Sequence, residues 1–291
     1  MSDTRQPSSA LPFLLVHGAW HGAWTYERII PLLAARGHAA VACDLPAHGL
    51  NARFPATYLE QPQRPAKLAT ETSPLAGVTL NDYVDATLAT LQRLRGLGHE
   101  KVVLVAHSMG GIVASAVTER APEAIAHLVY LTAFMPESGV PAVSYIDAPE
   151  NEGQRVGGLF VADPSAVGAL RINHRSADEA YRAANKAAFY GDVDDIAYAA
   201  VANLLTPDVP VAPFATPVAT TAARWGAVPR HYIRCLQDQA IRPALQQRFI
   251  AAADAFVPAN PTRVHTLDAS HSPFMSQPQA LAALLADIAE S

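Results

Sequence analysis

Apolar residues follow two rhythms along the chain. Unbroken runs at residues 11–18 (LPFLLVHG), 38–44 (HAAVACD), 101–106 (KVVLVA) and 127–134 (HLVYLTAF) have the length and β-branched content of strands buried on both faces. Two later runs, RHYIRCL at 230–236 and TRVHTL at 262–267, have the same character. Between the runs the spacing becomes helical. Residues 24–36 carry apolar positions at helical intervals and stop at Gly37, which predicts one helix there. Leu80, Val84, Leu88, Leu91 and Leu94 mark the buried face of another, with Asn81 and Asp82 near its start. GGIVASAVTER at 110–120 predicts a helix just after the third strand, and helical stretches follow the last two strands. Strands that are apolar throughout, alternating with helices, predict an α/β fold with a mostly parallel sheet covered on both faces.

Two stretches interrupt the alternation. Residues 51–77 are rich in proline and polar side chains and too long for an ordinary connection. Residues 135–226 form a large insertion between the fourth and fifth strands, helical at 176–190 and 194–205 and then broken by prolines through Pro217. The division expected is a core of 1–134 and 227–291 with 135–226 as a cap over the sheet, all within one structural domain.

Composition narrows the function classes. Half of the 291 residues are hydrophobic, 16% are charged, and the formal charge is −5, a balance suited to an ordinary globular protein. No basic run interleaved with aromatics points to nucleic acid. No apolar stretch reaches the roughly 18 residues that a membrane helix needs. The opening MSDTRQPSSALP has neither the charged start nor the apolar core of a secretory signal and reads as a short flexible tail. The two cysteines, Cys43 and Cys235, lie in predicted strands as buried free thiols, which suits a reducing cytosol and a cytoplasmic protein. Neither C-x-x-C nor H-E-x-x-H occurs, so no metal or cofactor is expected. The sequence is compatible with a homodimer.

The chemistry gathers around AHSMGG at 106–111. A serine between small residues, [GA]-x-S-x-G, turns up by chance in about one chain in five of this length, so context decides. Here a strand precedes Ser108 and a helix follows it, the setting of a nucleophile elbow. Small residues are needed two before and two after the serine; Ala106 adds one methyl where glycine adds none, and Gly110 and Gly111 let the helix approach the sheet. A serine nucleophile needs a base, and the base needs an orienting acid. Asp238 follows the fifth strand and His271 the last, in the order such an elbow requires. Asp268 and Asp254 are the rival acids; Asp254 sits in a helical pattern, and Asp268 stands where the last strand ends. Two backbone N–H groups must face the developing oxyanion. Met109, next after the serine, supplies one; Ala19, in the VHGAW loop after the first strand, supplies the other.

Taken together, VHGAWHGAWTYERIIPLLAARGHAAVACDLPAHG, VVLVAHSMGG, YIRCLQDQAI and ASHSPFMSQPQAL resemble the α/β-hydrolase group of plant methylesterases and hydroxynitrile lyases with their bacterial esterase relatives. The resemblance spans nearly the whole chain and is weakest at 51–77. It implies an α/β-hydrolase fold, a triad matching Ser108, Asp238 and His271, and oxyanion donors at Ala19 and Met109. A small-molecule ester is the expected substrate. Candidate pocket residues flanking the catalytic elements are Gly18, Trp20, His107, Phe134 and Phe274; Phe160, Phe189, Tyr190 and Phe214 join them from the cap. Such a pocket suits hydrophobic, bulky or aromatic esters hydrolysed through an acyl-enzyme. Two alternatives remain: lyase chemistry, and a non-catalytic small-molecule receptor. Lyase members carry a lysine after the catalytic histidine and a threonine after the first-strand histidine; here those positions are Ser272 and Gly18.

Overall fold

The computed structural model describes residues 10–291; the expected N-terminal tail falls largely on residues 1–9, outside the described residues. Strands β1 (Phe13–Val16), β2 (Ala40–Cys43), β3 (Val102–His107) and β4 (Ile125–Leu131) come first. Two short strands follow, β5 (Ala169–Arg171) and β6 (Asp208–Pro210), then β7 (Arg230–Cys235) and β8 (Arg263–Leu267). Among the described residues the main sheet runs β2-β1-β3-β4-β7-β8, with every pairing parallel. β1 and β3 are buried at every position, as strands covered by helices on both faces must be. The edge strands β2 and β8 are only partly covered, which leaves Cys43 half-buried rather than buried as expected, while Cys235 is fully enclosed.

The helices Leu80–Gly96 and Gly110–Arg120 lie where the periodicity predicts them. The first begins with a capping box. The Asp82 N–H donates to the Thr79 hydroxyl at 3.3 Å, and the Thr79 N–H donates to the Asp82 carboxylate at 2.8 Å. Two expectations are corrected. Residues 24–36 are not one helix: a 3-10 turn, Ala23–Tyr26, precedes a short helix, Ile30–Ala34. Pro31 is tolerated only in a first helical turn, so a new helix begins just before it. The fourth strand ends at Leu131 rather than Phe134, because Thr132 takes φ +36° and turns the chain.

The inserted residues 135–226 carry the expected helices as Glu179–Phe189 and Asp195–Ala202. They also contain the antiparallel β5–β6 pair, too short to be read from periodicity. A buried ion pair ties this pair to the long stretch 51–77. The Arg171 guanidinium meets Asp208 through two bonds of 2.7 Å and donates to the carbonyls of Leu68 and Glu71 at 2.6 and 2.7 Å. The Ser73 N–H adds a bond to the Val167 carbonyl at 2.8 Å. Residues 51–77 are thus packed onto the insertion, with short helices at Ala56–Leu59 and Pro65–Leu68.

Three histidines line up across the sheet, one each from β4, β7 and β8. His127 Nδ1 lies 3.1 Å from His231 Nε2, and His231 Nδ1 lies 3.1 Å from His265 Nε2. Burial, then the neighbouring His127, His265 and Arg263, lowers the His231 pKa to about 3. Burial likewise lowers His48 to about 4 and His174 to about 3. Unfolding returns each to about 6.5, so below that pH the unfolded chain binds more protons than the folded one. The stability these neutral imidazoles carry is fully present above pH 6.5 and drains away as the pH falls toward 3–4. The thermal midpoint, followed by circular dichroism, is therefore expected to fall between pH 7 and pH 5, before most carboxylates titrate. His231→Gln should flatten that fall; an unchanged midpoint across the interval would contradict this account.

Candidate active site

Ser108 stands at the carboxyl end of β3 with φ +53°, a conformation few non-glycine residues adopt. Its backbone is held on both sides. The Ser108 N–H donates to the Leu131 carbonyl at 3.4 Å, and its carbonyl accepts from Gly111 and Phe134 at 3.1 and 3.0 Å. The turn needs glycine at Gly111, where a Cβ would lie 2.1 Å from the Phe134 carbonyl oxygen. At Gly18 a Cβ would sit 2.7 Å from the Ser108 Cβ, so the first-strand loop passes as close to the serine as backbone can.

Two buried N–H groups flank the serine, those of Ala19 and Met109, and neither donates to another backbone carbonyl among the described residues. Buried N–H groups are almost always paired, so this pair is open to an incoming oxygen. The Ala19 donor is oriented from behind. His17 Nε2 accepts from the Leu45 N–H at 3.0 Å, which leaves Nδ1–H to donate to the Gly18 carbonyl at 2.8 Å. That carbonyl and the Ala19 N–H belong to one peptide unit. His21 repeats the device one residue on: Nδ1 meets the Ala19 carbonyl at 2.5 Å while Nε2 accepts from the Tyr190 hydroxyl at 2.6 Å. Burial is the largest cause holding both imidazoles neutral; it drives His17 well below the usual histidine range and His21 to about 3.

Asp238 and His271 are joined. His271 Nδ1 donates to Asp238 Oδ2 at 2.7 Å, which leaves Nε2 as the free ring nitrogen. The other carboxylate oxygen accepts from the Ala240 and Ile241 N–H groups at 2.6 and 2.9 Å. Thr132, a residue sequence reasoning missed, donates its hydroxyl to the same Oδ2 that His271 uses. Only the turn at Thr132 brings that hydroxyl to the carboxylate, and nothing in the sequence marks the turn. The rival acids lie elsewhere. Asp268 is exposed and accepts from Gln237, and Asp254 accepts from the Thr262 N–H.

A cavity of about 40 Å³ opens over Ser108 and Ala19. Of the expected pocket residues, Trp20, Phe134, Phe160, Phe189 and Phe214 are in its wall. Ile146, Val156, Leu170, Ala240 and Ile241 complete its apolar lining, with Asn151 and Gln154 as polar members. Gly18, His107, Tyr190 and Phe274 are not in the wall. His107 lies behind His271, with ring centres 4.6 Å apart, and donates through Nε2 to the His271 carbonyl at 2.8 Å. Phe274 packs edge-on against His107 at 5.1 Å, and Tyr190 is taken up by His21. These three residues support the site from below rather than enclosing its cavity. A larger surface groove of about 1190 Å³ runs outside, between the helices of the insertion and residues 236–239, and does not include Ser108.

The family model described as "Alpha/beta hydrolase family" matches residues 13–284. The chain belongs to the alpha/beta hydrolase family. Among curated relatives of this alpha/beta hydrolase, Methylesterase 7 of Arabidopsis thaliana is 32% identical over 287 residues, covering 96% of both chains. Salicylic acid-binding protein 2 of Nicotiana tabacum is 38% identical over 127 residues, 43% of this chain and 40% of that protein. Among solved structures, a pyrethroid hydrolase named PytH aligns with a TM-score of 0.74 at 25% identity, covering 97% of this chain and 98% of its own. Polyneuridine aldehyde esterase aligns with a TM-score of 0.69 at 23% identity, over 96% and 99% of the two chains, a likeness of fold. No helix among the described residues of this alpha/beta hydrolase is long and apolar enough to cross a membrane.

Thr132 invites a direct test. Thr132→Val keeps the side-chain shape and removes one hydrogen bond to a buried carboxylate, which should cost about 1.5–3 kcal/mol in stability. Thr132→Ser keeps the hydroxyl and should recover most of it. Urea denaturation of the three proteins measures both effects; a loss in the Ser variant with none in the Val variant would mean that the methyl packing, not the bond to Asp238, is what Thr132 contributes.

Proposed function

We propose that this protein is a serine esterase that hydrolyses hydrophobic carboxylic esters through an acyl-enzyme. The observation that carries the proposal is one constellation. Ser108, in a left-handed turn, lines an apolar cavity together with Ala19; the Ala19 and Met109 N–H groups donate to no backbone carbonyl among the described residues, and the buried His271 imidazole is held through Nδ1 by the buried Asp238 carboxylate. The names of the methylesterase relatives support ester substrates, methyl esters among them. The wall supports an apolar, aryl-tolerant substrate, because Trp20, Phe134, Phe160, Phe189 and Phe214 all belong to it. Residues 135–226 act as the cap in this proposal, since they provide the cavity wall opposite the sheet.

The proposed sequence of steps uses groups of the chain itself. His271 Nε2 takes the Ser108 proton as Oγ attacks the ester carbonyl. Asp238 keeps Nδ1 protonated and stabilises the imidazolium that forms. The Ala19 and Met109 N–H groups receive the oxyanion; because the Gly18–Ala19 peptide is already oriented by His17, little reorganisation is needed as charge develops. His271 then gives its proton to the departing alcohol, and water, activated by the same imidazole, releases the acid.

Lyase chemistry on the same framework wants a cation where cyanide departs. Ser272 follows His271 instead, and no lysine belongs to the wall of the cavity over Ser108. Lys186 is engaged with Asp195 on the outer groove.

Ser108→Ala is expected to lose roughly four orders of magnitude in hydrolysis of p-nitrophenyl or naphthyl esters while unfolding at the wild-type temperature. Asp238→Asn should fall by about 10⁴ and Asp268→Asn hardly at all. Mandelonitrile cleavage should stay at the buffer rate. Ester turnover that survives Ser108→Ala would refute the mechanism. Strong stabilisation by ligands with negligible turnover would indicate a receptor instead.

A further inference from the structure

The polar groups of the cavity wall are almost all spoken for. Trp20 Nε1 donates to the Leu170 carbonyl at 3.1 Å. Asn151 donates to the Ile146 carbonyl and accepts from the Arg242 N–H, both at 3.0 Å. Gln154 differs. Its Oε1 accepts from the N–H groups of Val156 and Gly157 at 2.7 and 2.9 Å. These two bonds decide which end of the amide is which: turned over, the NH₂ would face two N–H donors. The Nε2 end donates to no described residue. Gly157 makes room for it, since a Cβ there would lie 2.8 Å from Nε2.

Gln154 is half-buried and lines both this cavity and a shallower groove over residues 146–154; a donor at such a wall penalises any ligand that covers it without an acceptor, and rewards one that brings an oxygen. Resting on the esterase proposal, which commits the scissile carbonyl to Ala19 and Met109, the acceptor must be a second oxygen elsewhere on the substrate. We propose that Gln154 is a specificity-determining residue. Its Nε2 donates to that second oxygen, and the preferred substrates are apolar esters carrying an ether, carbonyl or phenol oxygen in addition to the ester group. Gln154 belongs to the inserted residues and Ser108 to the sheet, so the two polar contacts bind the substrate to both walls of the cavity at once.

The test reads binding, not turnover, in a Ser108→Ala background. The probes are methyl phenylacetates substituted at the ortho, meta or para position with either methoxy or ethyl, groups of nearly equal size. Calorimetric Kd values give one methoxy/ethyl ratio per position. At the position that reaches Nε2, the Gln154 protein should favour methoxy about 5- to 10-fold over its own ratio at the other positions, as one net hydrogen bond allows. Gln154→Glu keeps oxygens for the Val156 and Gly157 N–H groups and removes the donor, and it should bring that ratio down to the level of the other two. Gln154→Leu should do the same with a lower thermal midpoint, because it also gives up the turn. Ratios alike at all three positions in the Gln154 protein, or a preference that persists in both variants, would overturn the assignment. Failure of the esterase proposal would register separately, as unimpaired ester turnover in Ser108→Ala alone.

Discussion

Everything at the site depends on one backbone constraint, the left-handed turn at Ser108. A non-glycine residue at φ +53° costs on the order of 1–3 kcal/mol, and it persists only where its surroundings over-determine it. Here they do. β3 lies between β1 and β4 in the parallel sheet, so its end cannot shift without breaking two ladders. The serine carbonyl is pinned by Gly111 and Phe134. Glycine at 111 is then dictated by the Phe134 carbonyl, and glycine at 18 by the Ser108 Cβ. The turn sets the serine beside the Gly18–Ala19 loop, and its N–H and carbonyl bond the end of the neighbouring strand and the turn after it, at Leu131 and Phe134.

The second organising feature is the use of neutral imidazoles as framework. His17, His21 and His107 are buried, held below the usual histidine range chiefly by that burial, and each donates to a main-chain carbonyl: Gly18, Ala19 and His271 in turn. A charged side chain could make the same bonds only at a heavy desolvation cost. A neutral imidazole offers one donor and one acceptor in a rigid plane, and His17 and His21 use both, fixing a peptide on one side and a neighbour on the other, while His107 uses its donor alone. The chain thus spends three histidines on geometry and leaves His271, with its carboxylate partner, for proton transfer in the proposed mechanism.

What was legible in the sequence follows from what is local. Apolar runs and helical spacing report burial along a few consecutive residues, so β1, β3, β4, β7 and the helix Gly110–Arg120 could be read directly. The elbow could be read too, because its strand, small residues and helix are contiguous. Asp238 and His271 were found from chain order, and the structure joins them. Long-range pairings left no such trace. Arg171 and Asp208 are isolated charges with no sign in the sequence of being partners until β5 and β6 pair; Thr132 reads as the continuation of a strand. Of the aromatic rings near the motifs, only some belong to the cavity wall. Proximity in sequence to Ser108 or His271 does not say on which side of the loop a ring falls, and His107, Tyr190 and Phe274 fall behind it.

The two walls of the cavity differ in mechanical character, and that difference bears on how a substrate enters. On the sheet side, Ser108, Ala19 and Phe134 are buried and their backbones are tied into strands or into the histidine framework. On the other side, Ile146, Gln154, Val156 and Phe160 are only half-buried and sit on short turns with few ladder bonds. A cavity of about 40 Å³ is small for a substituted ester, so in the proposed function a substrate is admitted where one wall yields. Displacing the sheet side would disturb the donors that the proposed mechanism uses; displacing the turns costs few hydrogen bonds. The insertion can yield there without losing its hold on the core. Trp20 bonds β5 through its indole, its carbonyl accepts from the Thr206 N–H at 2.9 Å, and Arg171 locks β5 to β6 and to residues 68–71. In the proposed esterase the anchored part of the insertion positions the substrate, and the half-buried turns around Gln154 and Phe160 select it.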